Sequence, residues 1–172
     1  MRFVGVAYRA HNPRWSWSPL SGAGSAAHGG RFNRVGMPAL YLSLSWKTAV
    51  VEASQGLAFR LPPLTIVSNE IDCEDVIDLV DATEMRRRRV RKSDLACAWC
   101  LLAARGEPVP SHALADRLCG DGIAGIIVPS FAAGLGPDAK NLVLWRWGAT
   151  PPHRVTIIDP AGRLPKDDRS WR

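Results

Sequence analysis

Between Gly29 and Glu52 the chain reads GGRFNRVGMPALYLSLSWKTAVVE, and three of its side chains could do chemistry together. Arg31 follows a glycine pair whose backbone freedom permits close ligand approach. Its planar fork of donors suits a pyrophosphate or a ribose. Tyr41 brings a ring able to stack on a flat aromatic. Glu52 lies among Val50, Val51 and Ala53, and a carboxylate in an apolar setting is either paired or working. Arg31 is its candidate pair. A lone carboxylate suits an oxocarbenium-like transition state, in which positive charge develops on a ribose. Cation, ring and carboxylate together are what is needed to hold and break a charged dinucleotide. Each also has a plainer reading: a surface ion pair for Arg31, a strand tyrosine for Tyr41, a solvated helix glutamate for Glu52.

The elements that must position them can be read from periodicity. ALYLS alternates, so Leu40, Leu42 and Leu44 face one way and Ala39, Tyr41 and Ser43 the other. Ser45 is a plausible N-cap for a helix over about 46–58, on which Thr48, Glu52 and Gln55 share a face. Residues 2–8 read as an opening strand and 10–30 as a long functional loop. Strands are expected over 64–71, 75–80, 122–129, 141–147 and 154–160. Asp81 or Thr83 caps a short helix. Asp94 is expected to cap a helix through Arg105, and Ser111 another that stops at Gly120. Ser130 follows a buried strand, where a hydroxyl can touch a ligand. Strands and helices do not alternate strictly, which argues for an α+β fold with a mixed sheet in a single domain.

Composition narrows the function classes. The 172 residues carry a net charge of +6. Arg86, Arg87, Arg88, Arg89, Arg91 and Lys92 account for that excess, since without them 16 basic residues face 16 acidic ones. This run raises the alternative of a nucleic-acid-binding module. It has no interleaved aromatics, and contact with an acidic partner surface or plain solvation explains it equally. No P-loop, dinucleotide glycine fingerprint or zinc-protease motif is present. Cys97 and Cys100 form a C-x-x-C inside an apolar run, while Cys73 and Cys119 stand apart. The expectation is four buried small side chains and no metal. No segment reads as a signal peptide or a membrane span, and a cytoplasmic setting is expected.

The order Tyr8-Arg9, Gly-Gly-Arg31-Phe-Asn, Ala-Leu-Tyr41-Leu-Ser, Trp-Lys-Thr-Ala-Val-Val-Glu52, Ile-Val-Pro-Ser130 and Asn141-Leu-Val resembles the RES domain. The resemblance spans residues 1–160, followed by a polar tail over 161–172. It implies a mixed β-sheet similar to that of ADP-ribosyltransferases and a toxin of a type II toxin–antitoxin pair. It further implies consumption of NAD+ by hydrolysis, phosphorolysis or transfer of ADP-ribose to a protein. The implied partner is an Xre-type helix-turn-helix antitoxin that covers the active site. Carried onto this chain, Arg31 holds the phosphates or ribose and Tyr41 stacks on nicotinamide. Glu52 stabilises the ribosyl cation, and Arg9, Ser43 and Ser130 are further cleft contacts. Arginine-directed transferases carry a Glu-x-Glu pair. The matching position here is Val50, which points away from an arginine acceptor.

Overall fold

The structure is a computed structural model that describes residues 1–54 and 62–171. Seven strands form one sheet: β1 (Phe3–His11), β2 (Leu40–Ser43), β3 (Thr65–Cys73), β4 (Val76–Asp78), β5 (Gly125–Pro129), β6 (Lys140–Leu144) and β7 (His153–Ile157). Their spatial order is β4-β5-β6-β2-β1-β3-β7. The β4–β5 pair is parallel and every other pair antiparallel. The helices are α1 (Ala23–His28), α2 (Trp46–Ala53), α3 (Ala82–Arg87), α4 (Lys92–Leu95), α5 (Trp99–Ala104) and α6 (Pro110–Gly120). The expected α+β architecture with a mixed sheet is thus present.

Alternation along the central strands divides the apolar residues between two cores. Leu40 and Leu42 pack with Ala7, Ile71, Ile127, Leu142 and Leu144. On the other face Phe32, Leu79, Leu95, Leu114, Leu118, Ile126, Val143 and Trp145 form a second cluster, with Tyr41 packed against it. Both faces of β2 are therefore occupied, and Tyr41 is held in a wall rather than projecting from an open sheet.

Several local expectations need correction. The stretch over 10–30 is not structureless: it holds a 3-10 turn (Pro13–Trp15) and α1. The helix expected to start at Asp94 is split into α4 and α5. Asp94 sits in the first turn of α4 and accepts from the Arg91 backbone N–H at 3.2 Å. The break follows from the Cys97 carbonyl, which accepts the Trp99 N–H two residues on and so cannot serve a regular i to i+4 ladder. Ser111 does not cap α6. Val109 holds that position with Pro110 in the first turn, and Ser111 is fully buried with its hydroxyl engaged elsewhere. Asp81 does cap α3, accepting from Thr83 N–H at 2.8 Å. Helix α2 starts where expected, although Ser45 makes no side-chain cap bond. Gln55 and the end of the expected helix lie outside the described residues. The cysteines also depart from expectation: Cys73 is buried, but Cys97 is half-buried and Cys100 exposed.

Candidate active site

Arg31 stands on a tight turn. Gly29 closes α1 with φ 71°, a conformation that L side chains avoid. Gly30 and Asn33 then bridge through their backbones. All three carbonyls along the turn are capped from elsewhere in the fold. His112 Nε2 lies 2.8 Å from Gly30 O and, facing a carbonyl, must carry the proton. Ser111 Oγ donates to Arg31 O at 2.5 Å, and Trp145 Nε1 to Phe32 O at 2.8 Å. The turn is also clamped to β2. Tyr41 Oη accepts from Phe32 N–H at 3.0 Å and donates to Asn33 Oδ1 at 2.7 Å. Burial raises the Tyr41 phenol well above its ordinary range, so it stays protonated and keeps that donor. Gly30 leaves the phenol its place, since a Cβ there would lie 2.6 Å from Tyr41 Oη.

The Arg31 guanidinium donates through Nη1 to Leu95 O at 3.2 Å and Cys97 O at 2.7 Å. It lies 4.5 Å from the Phe131 ring centroid. Nε and Nη2 have no protein partner among the described residues. Burial lowers its pKa, an effect partly opposed by the nearby Cys97 and Glu52.

Glu52 hangs from α2 over a row of paired residues. Tyr8, Ser43, Asn141 and Val128 are direct cross-strand neighbours on β1, β2, β6 and β5, so their side chains share one face. Glu52 Oε1 accepts from Ser130 Oγ at 2.6 Å and from Asn141 Nδ2 at 2.5 Å. Asn141 Oδ1 in turn accepts from Ser43 Oγ at 2.7 Å. Both bonds to Glu52 use Oε1, leaving Oε2 without a protein partner among the described residues. The expected pairing of Glu52 with Arg31 does not occur. The two charges influence each other without forming an ion pair, because carbonyls seat Arg31 and Ser130 and Asn141 seat Glu52.

Two cavities meet at this carboxylate. The smaller, about 290 Å³, is lined by Tyr8, Arg9, Ser43 and Ala49 among others, and the larger, about 620 Å³, by Gly30, Arg31, Trp99, Cys100 and Phe131. Tyr41, Glu52 and Asn141 line both. Arg9 donates to Pro19 O and Ser21 O, and burial without an acidic partner lowers its pKa. Glu52 is the one acid among the described residues lining either cavity.

Residues 6–167 match the RES domain. The chain belongs to the RES domain family. Its fold is also similar to that of a chain in the crystal structure of the M. tuberculosis MbcT–MbcA toxin–antitoxin complex, with a TM-score of 0.62 at 19% sequence identity over 92% of this chain and 84% of that one. No curated protein is significantly similar in sequence. In this RES domain Arg31, Tyr41, Glu52, Arg9 and Ser43 all line the paired cavities, and Ser130 joins them through Glu52. Asn141 joins the site although it was not among the expected site residues; its signal in the sequence is an amide directly before the apolar Leu-Val-Leu of β6. The basic run lies apart: Arg87 and Arg88 pair with Glu84, and Arg91 with Asp94. None of its residues is among those lining the paired cavities. Among the described residues no group of three His, Cys, Asp or Glu could hold a metal ion, and no helix is long and apolar enough to cross a membrane.

Proposed function

We propose that this RES domain binds NAD+ and cleaves its nicotinamide–ribose bond, acting as the toxin of a toxin–antitoxin pair in the cytoplasm. The observation that carries the reading is a single carboxylate, fixed through one oxygen, at the meeting point of two cavities that each hold an arginine. The larger cavity takes the diphosphate half, with the unpartnered nitrogens of Arg31 as donors. The smaller, beside Arg9 and Tyr8, takes the nicotinamide end, where the Tyr41 ring offers a stacking wall. When the C1′–N bond breaks, its electron pair leaves with nicotinamide and neutralises the pyridinium. Positive charge then builds on the ribose, opposite Glu52. Ser130 and Asn141 hold that carboxylate in place, and Ser43 holds Asn141. These are positioning roles.

A nucleophile then adds to C1′: water, phosphate or a group on a target protein. The one acid among the described residues lining the cavities and the apolar Val50 favour an acceptor other than arginine. An antitoxin partner follows by analogy with the toxin–antitoxin complex of similar fold, and the RES resemblance makes it an Xre-type protein that covers the cleft. The test is nicotinamide release from NAD+ by purified wild type and by Glu52→Gln, paired with growth arrest on induction. The variant should lose both, and wild-type release by Glu52→Gln would sink the assignment. Labelled NAD+ in lysate then separates the fates. A discrete labelled band means transfer, and labelled small molecules alone mean breakdown.

A further inference from the structure

The C-x-x-C of the sequence is not absorbed by the proposed reaction, yet it touches the site. The Cys97 carbonyl seats Arg31 at 2.7 Å, and the Cys97 thiol contacts Ser111 Oγ at 3.3 Å. Ser111 Oγ in turn donates to the Arg31 carbonyl at 2.5 Å. Cys97 thus holds both ends of Arg31, one directly and one through Ser111. Cys100 is exposed and lines the larger cavity with Arg31. The guanidinium is within electrostatic reach of both sulfurs. A half-exposed thiol pair facing a cation is the setting of reactive cysteines, because the thiolate is the nucleophile. Burial, above all, pushes the Cys73 and Cys119 thiols up to about 11, which disfavours their thiolates.

We propose that Cys97 and Cys100 are a thiol-oxidation site that takes small-molecule disulfides, and that closing the pair unseats Arg31. The Cys100 thiolate attacks one sulfur of a low-molecular-weight disulfide RSSR. This forms Cys100–S–SR and releases RS⁻, which takes up the proton from Cys100. Cys97 sulfur then attacks the Cys100 sulfur and expels the second RS⁻, which takes up the proton from Cys97. The balance is two protein thiols plus RSSR giving one protein disulfide plus two RSH. Drawing the Cys97 sulfur to Cys100 removes it from Ser111 and turns the segment whose carbonyl seats Arg31. That the loss weakens dinucleotide binding rests on the role proposed for Arg31.

The experiment treats the reduced, purified chain with oxidised glutathione and measures intact mass, a non-reducing digest and NAD+ affinity by calorimetry. Wild type should become lighter by about 2 Da, the two hydrogens lost in closing one disulfide, and the digest should link Cys97 to Cys100. Cys97→Ser should instead keep one glutathione on Cys100. Oxidised wild type should bind NAD+ about tenfold more weakly than reduced, and Cys100→Ala should show no change on treatment. Glutathione retained on wild-type Cys100, a pair that stays reduced, or an internal disulfide with unchanged affinity would each overturn the proposal. Reduced wild type that fails to bind NAD+ would instead overturn the dinucleotide reading, while the mass measurement still tests the thiol site independently.

Discussion

Asn141 gives the sharpest test of how the carboxylate is held. It donates to Glu52 Oε1 at 2.5 Å and accepts from Ser43 Oγ at 2.7 Å, so it presents one donor and one acceptor in fixed order. Asn141→Leu removes both while keeping the branched shape of the side chain. A hydrogen bond to a charged group is worth about 1.5–3 kcal/mol, so kcat/KM for nicotinamide release should fall by about 10- to 150-fold. Asn141→Asp keeps the shape almost unchanged and should nevertheless be worse. It replaces the donor by an oxygen, and two carboxylates about 3 Å apart at an effective dielectric near 20 repel by about 5 kcal/mol. One of the pair then keeps a proton to higher pH. Whenever that proton sits on Glu52, the charge that opposes the ribosyl cation is cancelled. Activity relative to wild type should therefore rise with pH for Asn141→Asp and stay level for Asn141→Leu. Nicotinamide release across pH, with thermal unfolding to confirm that each variant is folded, decides the matter. An aspartate variant as active as wild type, or one equal to leucine at every pH, would refute the argument.

Ser130→Ala removes the other donor to Glu52, at 2.6 Å. In a double-mutant cycle with Asn141→Leu the two losses should not add, because each donor steadies the same oxygen. Gly30→Ala would place a methyl 2.6 Å from Tyr41 Oη and 2.7 Å from Asn33 Oδ1, so thermal unfolding should report a loss of about 1–3 kcal/mol. Half-buried His11 has both ring nitrogens without a protein partner among the described residues, and desolvation with the nearby Arg9 lowers its pKa to about 4. Between its ordinary 6.5 and that value the unfolded chain gains a proton that the folded chain refuses, so stability falls as pH drops through this window. For a half-buried ring the loss is roughly 1–2 kcal/mol after allowance for solvent screening. His11→Phe should flatten the pH dependence in chemical denaturation, and an unchanged slope would count against it.

The parts of the fold set by local pattern were legible in the sequence. The alternation of Leu40, Leu42 and Tyr41 describes β2 because strand faces repeat every two residues, and both cores use it as written. The helix bearing Glu52 begins at the expected place. What failed depended on partners far along the chain. Arg31 and Glu52 were paired by opposite charge, but carbonyls of residues 95 and 97 and side chains of residues 130 and 141 claim them first. Ser111 has the composition of a helix cap, yet the carbonyl of Arg31 competes for its hydroxyl and wins. The apolar run at 95–104 suggested a helix with buried cysteines. Its exposed Leu101 and Cys100 show that hydrophobic composition does not say which side of a layer remains uncovered.

The two anchors of Glu52 lie 78 and 89 residues beyond it in the chain. At about 5–20 residues per second of synthesis, a growing polypeptide carries Glu52 for roughly 4–18 seconds before Asn141 is even made. Until Ser130 is made the carboxylate has neither donor, and until Asn141 follows it the strand that completes its wall does not exist. The cleft therefore comes into being late and all at once, as β6 slots between β5 and β2. On the proposed toxin reading, a nascent or prematurely terminated chain lacks the held carboxylate, and the cell that makes it has until about the last fifth of translation to have a neutralising partner at hand.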